Sequence, residues 1–519
     1  MPLVIAREDA RQLRLSYLGL TLLGLAFHVP RLFRPLGDLD GCAGPYFGVF
    51  FRNYEAFGFG ELRGMALWRQ LVPVPQAGEP YLHHPPGTWW TMYALGGAEW
   101  SMRLPTIVAA IVAACLLCRL LARPLGHWAA RFAGASLLAT PVMAVYCQLS
   151  YEPIAIAFGL GLVYATIRVR DAIDRGTRVR WMLAQGALAF VGTWMDWSFG
   201  MFCFGLAAFA CSKSISSMFL QLVTPAIAAG VAVVTVVAWQ KWALESPLVV
   251  LPPTATGSID KIVEETILSR PAWGKYLAAI EHWMRHTVGL PMLVTAIVGI
   301  VPLFARAPRI ATALLVTGVA HFGIFAQHAV QHPHFFCLTS PFVAAAAGAA
   351  VCALWRRVPR ISAFLASAVL IATWVASIEL DASTSSTFHR DIGRVLTEAT
   401  IVRDADGRPT GERIGVMTNF APIWPYYVTD PHVLVVPPVT NLSWLESVHR
   451  DERYRYLWLV VEKPPGVPWN DPLDPDVRAF LERFPRTRVP ELEYHMKESG
   501  FGWDWNIREA WLVDVPKAE

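Results

Sequence analysis

Charge is scarce in this sequence. Only 16% of its 519 residues are charged and 54% are apolar, and the mean hydropathy is positive. That balance excludes an ordinary soluble globular protein. Cysteine is sparse as well: eight residues, at 42, 115, 118, 147, 203, 211, 337 and 352, mostly inside apolar runs and none after 352. Cys115 and Cys118 share one face of an apolar helix, where packing accounts for them, so free buried thiols are expected rather than a disulfide framework. There is no internal repeat and no low-complexity tract. The net charge of +4 says little, because the positive residues are segregated along the chain.

What is present is a series of apolar runs. Arg7, Arg11 and Arg14 precede the first, Leu15 to Val29. A basic start before a short apolar core also describes a secretory signal, but Val29-Pro30-Arg31 offers no small-residue cleavage site, so an uncleaved signal anchor is expected. Further runs lie near 101–122, 127–147, 151–168, 181–195, 196–212, 217–239, 287–305, 310–328, 335–354 and 361–380. Each approaches the length of about 20 residues that a membrane-crossing helix needs, which predicts a mainly α polytopic membrane protein of about eleven transmembrane helices. Basic residues mark alternate loops: Arg119, Arg123 and Arg131; Arg168 to Arg180; Lys213; Arg306 and Arg309; Arg356, Arg357 and Arg360. By the positive-inside rule these loops and the N-terminus are cytoplasmic. The intervening loops, and everything after Leu380, then face outward.

The longest outer stretch, roughly Arg31 to Trp100, holds the densest chemistry. It runs from Asp38-Leu39-Asp40 through Tyr46, Arg52, Asn53 and Tyr54 to Tyr81-Leu82-His83-His84-Pro85-Pro86-Gly87, and Arg103 opens the next run. Acids, a histidine pair and an arginine at one membrane face suit a charged, lipid-linked substrate. Asp40, with Asp38 second, reads as a proton acceptor, as a helix cap, or as half of a divalent-cation site. The prolines hold His83 and His84 on a stiff segment from which either can donate to a phosphate. Arg103 either snorkels to headgroups or holds a phosphate. Glu152 stands at a helix start, where the dipole favours an acid and where it can also enter a site. Asp196 lies between Trp194 and Trp197, an arrangement that fits a sugar ring or an interfacial belt. In the amphipathic stretch Trp273 to Arg285, His282 and Arg285 read as headgroup-facing residues or as phosphate contacts, and His334 is ambiguous in the same way.

After about residue 382 the composition changes. Short strands are expected at 414–418, 432–436 and 456–462, and helices at 441–450, capped by Asn441, and 474–483, capped by Asp474 with Pro475 next. This predicts a transmembrane domain over 1–382, with the site in its outer loop 31–100, followed by a small extracytoplasmic α/β domain over 383–519. The second domain has no phosphate loop and no GxGxxG.

The ordered set Asp38-Leu39-Asp40 with Tyr46, Arg52-Asn53-Tyr54, His84-Pro85-Pro86, Arg103-Leu104-Pro105, Thr140-Pro141 and Glu152 resembles the GT-C membrane glycosyltransferases. The resemblance is to those of the dolichyl-phosphate-mannose protein mannosyltransferase and aminoarabinose-transferase-like type (glycosyltransferase family 39). It covers roughly residues 10–210, extends to 287–380 in layout only, and leaves the C-terminal domain unmatched. It implies a GT-C fold and inverting hexosyl or pentosyl transfer from a polyprenyl-phosphate-linked donor to a glycan, lipid or protein hydroxyl outside the cytoplasm. It implies Asp40 as base, Glu152 as second acid, His84 and Arg103 near the donor phosphate, and no required cofactor, with a divalent metal as the alternative. Two departures stand out. Asp-Leu-Asp replaces an adjacent Asp-Glu, which leaves Asp38 open as the base. Histidine replaces the lysine of Lys-Pro-Pro, which would make phosphate binding pH-sensitive. The expected setting is a bacterial inner membrane, with membrane lipid and no nucleic acid as partner. A catalytically inactive scaffold and a lipid or sugar transporter are the competing readings, the latter lacking the duplicated halves common in transporters.

Overall fold

A computed structural model describes residues 2–33, 43–67, 80–82, 84–146, 149–210, 215–249, 271–326, 333–384, 388–419, 442–462, 473–498 and 503–518. The chain divides into two compact units. The first comprises Met1–Arg34, His83–Trp239 and Thr254–Asp381, and the second Pro35–Leu82, Gln240–Pro253 and Ala382–Glu519.

In chain order the helices up to the end of the apolar runs are α1 (Pro2–Leu32), α2 (Ala43–Phe57), α3 (Gly87–Ala94), α4 (Glu99–Leu125), α5 (His127–Ala139), α6 (Glu152–Asp171), α7 (Arg175–Met195), α8 (Gly200–Ala210), α9 (Ile215–Leu244), α10 (Trp273–Val288), α11 (Leu290–Arg306), α12 (Pro308–Ile324), α13 (Ser340–Trp355) and α14 (Pro359–Thr384). A helix thus occupies every apolar run, yet among the described residues only six helices are long and apolar enough to cross a membrane: Asp9–Leu32, Glu99–Leu125, Glu152–Asp171, Gln221–Leu244, Phe336–Trp355 and Pro359–Glu379. A seventh arises if α10 and α11, bent by 105°, form one span. Of the about eleven spans expected, six or seven are thus borne out among the described residues.

The reasons are local. The run 127–147 stops being an α-helix at Ala139 because Thr140 precedes a proline and takes an extended conformation, with ψ of 136°. A π-helical segment, Val142–Tyr146, follows. The run 181–212 breaks at Asp196, which is extended, leaving α8 only 11 residues long. The first turns of α7 carry Arg175, Arg178 and Arg180. Gly289, at a φ of 83° that favours glycine, makes the corner between α10 and α11. Buried Arg31 donates to the carbonyl of Ala144 in the π segment, where the α-helical ladder is interrupted, and to that of Ser377 in α14.

Burial separates central from peripheral helices. The best spanning windows of α6 and of Phe336–Trp355 are each 78% buried, against 22% for those of α9 and α14, which present apolar side chains outward. α13 owes its central place to small residues: Ala344 to Ala347 and Ala349 are all buried. Its backbone approaches neighbours too closely for larger ones. A Cβ on Gly299 of α11 would overlap the Ala346 carbonyl oxygen, and one on Gly348 would meet the Ala129 carbonyl oxygen at 2.8 Å.

The second unit begins with α2 and its return loop. Tyr54 Oη donates to the Gly64 carbonyl at 2.7 Å, Asn53 Nδ2 to the Leu67 carbonyl at 3.1 Å, and Tyr81 packs on Phe50 with ring centroids 5.0 Å apart. Its C-terminal part contains α15 (Phe388–Ala399), β1 (Ile401–Arg403), β2 (Pro409–Arg413), β3 (Gly415–Thr418), α16 (Leu442–Asp451), β4 (Tyr454–Glu462), α17 (Pro475–Leu481), β5 (Arg486–Arg488), β6 (Tyr494–Glu498) and β7 (Trp503–Val515). β1 and β2 pair by themselves. The larger sheet runs β3-β4-β7-β5, with β6 also on β7; β3 and β4 are parallel and the other pairs antiparallel. The strands expected at 414–418 and 456–462 and both expected helices are present within a few residues. The Asp474 carboxylate caps α17 by accepting from the Asp476 amide at 2.8 Å. The strand expected at 432–436 and the Asn441 cap lie outside the described residues. The expectation omitted α15 and β7.

The α11–α13 contact generates a prediction. Gly299→Val should force these helices apart, costing about 1–3 kcal/mol as an overpacked core does. Gly230→Val in α9, where a Cβ would have nothing within 4 Å, should be near neutral. Thermal unfolding of both variants in one detergent checks this; equal midpoints would contradict the close approach.

Candidate active site

α6 and α7 are antiparallel neighbours joined by a tight connection in which Asp174 caps α7, its carboxylate accepting from the Thr177 amide at 2.7 Å. This pairing brings the first residue of α6, Glu152, and the residue that ends α7, Asp196, to the same end of the helix pair. Both acids are buried, Glu152 at 5% exposure and Asp196 at 1%.

The segment His84-Pro85-Pro86-Gly87 reaches this end from another direction and starts α3. Gly87 lies so close to the end of α7 that a Cβ would meet the Trp194 carbonyl oxygen at 2.6 Å. Thr88 Oγ1 donates to the Met195 carbonyl at 2.9 Å. Docked in this way, the segment places His84 Nδ1 2.9 Å from Asp196 Oδ1. Ser198 Oγ donates to the other oxygen, Oδ2, so both carboxylate oxygens of Asp196 have a partner. The Tyr151 ring, one residue before Glu152, stacks on the imidazole at a centroid distance of 4.1 Å and an angle of 8°. Trp89 abuts Tyr151 edge-on at 6.4 Å. His84 remains 31% exposed above the buried carboxylate, so the imidazole is reachable where Asp196 is not.

Beside these residues lies an apolar cavity of about 470 Å³ between α3, α4, α6 and α7. Ile154, two residues after Glu152, and Met195, next to Asp196, line it at one level, and Tyr164 and Trp181 line it farther along. The ten residues from Ile154 to Tyr164 rise about 15 Å in an α-helix. Among the described residues no group of three or more His, Cys, Asp or Glu could hold a metal ion.

Residues 83–242 match the sequence profile of the family described as dolichyl-phosphate-mannose-protein mannosyltransferase. In fold, the chain is similar to ArnT from Cupriavidus metallidurans bound to undecaprenyl phosphate, with a TM-score of 0.64 and 15% identity over 97% of this chain and 98% of that one. The apo state of the same protein gives 0.62 and 14% identity over 99% and 100%. The archaeal oligosaccharyltransferase AglB from Archaeoglobus fulgidus, in complex with an inhibitory peptide and a dolichol-phosphate, gives 0.52 and 12% identity over 86% and 69%. The family match thus covers about a third of this chain, and the likeness in fold to ArnT covers nearly all of it. No curated protein matches it in sequence. The likeness in fold to ArnT extends over the C-terminal region, which the motif resemblance left unmatched.

Of the residues singled out in the sequence, the fold brings three together: His84, Glu152 and Asp196. Arg103 is buried in α4, where its Nη1 donates to the Leu32 carbonyl at the end of α1 at 3.3 Å. Arg52 and Tyr81 belong to the second unit, Arg52 in an ion pair with Glu55 at 2.7 Å. His282 and Arg285 lie exposed on α10; Arg285 pairs with Glu281, and the His282 ring lies 4.5 Å from that of His286. Asp38, Asp40 and His83 lie outside the described residues, as do the side chains of Tyr46 and His334. Trp194 packs between Trp90 and Trp239 at 5.8 and 6.5 Å and donates to Thr235 Oγ1, tying α3, α7 and α9 together.

Sequence reasoning missed Tyr151, Ser198 and Gly87. Tyr151 and Ser198 stand next to singled-out acids, which is the one signal they carry; nothing in a single sequence says which histidine the tyrosine meets. The pairing itself is testable. In a double-mutant cycle of His84→Ala and Asp196→Ala, read by thermal unfolding in detergent, a coupling energy of about 1 kcal/mol or more is expected, as for residues in one hydrogen-bond network. Additive effects would contradict it.

Proposed function

We propose that this protein is an integral-membrane glycosyltransferase that moves a sugar from a polyprenyl-phosphate donor to an acceptor hydroxyl with inversion. The observation that carries the proposal is the apolar cavity of about 470 Å³ lined by Met195, which adjoins Asp196, and by Ile154, two residues from Glu152. A lipid tail in that groove would bring its phosphate and sugar to the only end of α6 and α7 that bears these acids. Two GT-C proteins of similar fold carry undecaprenyl phosphate or dolichol-phosphate, which supports a donor of this class.

In the proposed reaction the acceptor oxygen forms a bond to the anomeric carbon as the bond from that carbon to the donor phosphate oxygen breaks. The electron pair leaves with polyprenyl phosphate, and the hydroxyl proton goes to a carboxylate. Asp40 takes the proton, with Asp38 as the alternative; both roles rest on the motif resemblance. A phosphate leaving group needs hydrogen-bond donors more than a strong acid. His84 supplies one, held in place by Asp196 and Tyr151, and Glu152 orients the sugar or acceptor hydroxyls. The acceptor is a glycan, lipid or protein outside the cytoplasm, the membrane is the bacterial inner membrane, and the N-terminus is cytoplasmic. No resident cofactor is part of the mechanism.

The test uses purified protein in lipid, a panel of polyprenyl-phosphate sugars and an extract of envelope acceptors, with released polyprenyl phosphate as readout. Wild type should release it. Asp40→Asn and Glu152→Gln should each lose about 10²-fold or more in kcat, the scale of a lost general base or oriented polar contact. No release from any donor by folded wild type would favour a scaffold or transporter, and full activity of either variant would remove that residue from the mechanism.

The groove has its own test. Gly161→Phe fills it and should raise KM for a long-chain donor while leaving that for a two-isoprene analogue near wild type. An equal change for both lengths would detach the groove from the donor tail.

A further inference from the structure

A second cavity, of about 610 Å³, lies in the first unit between α11, α13 and α14, and the proposed reaction does not use it. Its walls are aliphatic: Val294 and Val298 of α11 on one side, Leu365 and Val369 of α14 on the other, with the backbone of α13 between. Its end is different. Arg306 closes α11, and Arg356 and Arg357 follow α13 directly, so three guanidinium groups line one end of the same cavity.

None of the three arginines makes an ion pair among the described residues, and no acid lines the cavity. Arg356 and Arg357 are exposed, whereas Arg306 is half-buried and its Nη1 is fully buried without a hydrogen-bond partner. A buried guanidinium nitrogen without an acceptor is costly and calls for a group to satisfy it. The C-terminal carbonyls of α11 and α13 explain why positive charge is favoured at this level, but an intrahelical dipole interaction leaves the buried Nη1 unsatisfied and does not explain an apolar cleft beneath the charges. Arginine binds phosphate oxygens through a planar fork. Aliphatic walls at membrane depth fit acyl chains.

We propose that this cavity binds an anionic phospholipid, with its phosphate on Arg306, Arg356 and Arg357 and its acyl chains between α11 and α14. In the topology read from the basic loops, this is a lipid of the cytoplasmic leaflet, on the opposite face from the proposed catalysis. The lipid would fill the gap between the buried helix α13 and the peripheral helix α14 and hold α14 in place.

The experiment is native mass spectrometry of the full-length protein released from mixed bilayers of phosphatidylglycerol and phosphatidylcholine. Wild type should retain phosphatidylglycerol about tenfold or more over phosphatidylcholine, since arginines near an anionic headgroup attract it. Retention without headgroup preference in wild type overturns the proposal whatever the variants do. R306Q/R356Q/R357Q should lose the preference, while R175Q/R178Q/R180Q, which removes the same charge at the start of α7, should keep it; an equal loss in both would reduce the effect to general surface charge. Inorganic phosphate should not displace the bound lipid. Displacement by phosphate alone would show a simple anion site and overturn the acyl-chain assignment.

Discussion

The buried carboxylate of Asp196 is the constraint on which the site depends. A charged group at 1% exposure is stable only when its oxygens are satisfied, since an unpaired buried charge costs several kcal/mol. His84 and Ser198 take one oxygen each. That requirement fixes more than two side chains. For His84 to arrive, the start of α3 must lie against the end of α7, and this is why position 87 has no side chain and why Thr88 bonds to the Met195 carbonyl. For the imidazole plane to be set, Tyr151 must lie flat on it, which in turn positions Glu152, the next residue. Three segments distant in sequence are locked by one acid.

The same logic explains the interrupted helices. An unbroken apolar helix satisfies its own backbone and offers no polar group to a substrate. Here the chain breaks at Thr140-Pro141, at Asp196 and at Gly289, and at the first two breaks the freed groups acquire partners. Arg31 takes the Ala144 carbonyl of the π segment, and the Asp196 amide returns to the Gly192 carbonyl while its side chain turns to His84. Breaks of this kind leave α5 and α8 with 13 and 11 residues, below the length that spans a membrane. Polar geometry within a membrane domain is obtained at the expense of helix continuity.

Hydropathy made the helical class legible, and the acids at helix ends stood out because charge is so rare in these runs. The motif order from Asp38 to Glu152 carried the family resemblance, and the matching family model covers residues 83–242. The pairing of His84 with Asp196 was not legible, because 112 positions separate them and nothing in their immediate neighbours implies the contact. In the C-terminal part, Asp474-Pro475 announced its helix through local capping chemistry. β7 gave no comparable signal. It is the central strand, with Ala510 and Leu512 packed on one face and Trp511, Val513 and Val515 on the other, so no inside-outside alternation survives. A bulge opposite Val460 and Val461 disturbs the period further.

In the motif resemblance, His84 takes the place of the lysine of Lys-Pro-Pro. A lysine ammonium is a flexible point charge with three donors and reaches a phosphate without being oriented by a neighbour. An imidazole has two ring nitrogens in one plane, and it donates in a chosen direction only if something sets its tautomer and rotation. Asp196 Oδ1 holds Nδ1 at 2.9 Å, and Tyr151 fixes the plane of the ring. The carboxylate and the tyrosine thus supply the orientation that the change from lysine to histidine requires. In the proposed reaction, Asp196 is a positioning residue that acts through His84, and Glu152 is the acid left to meet the substrate.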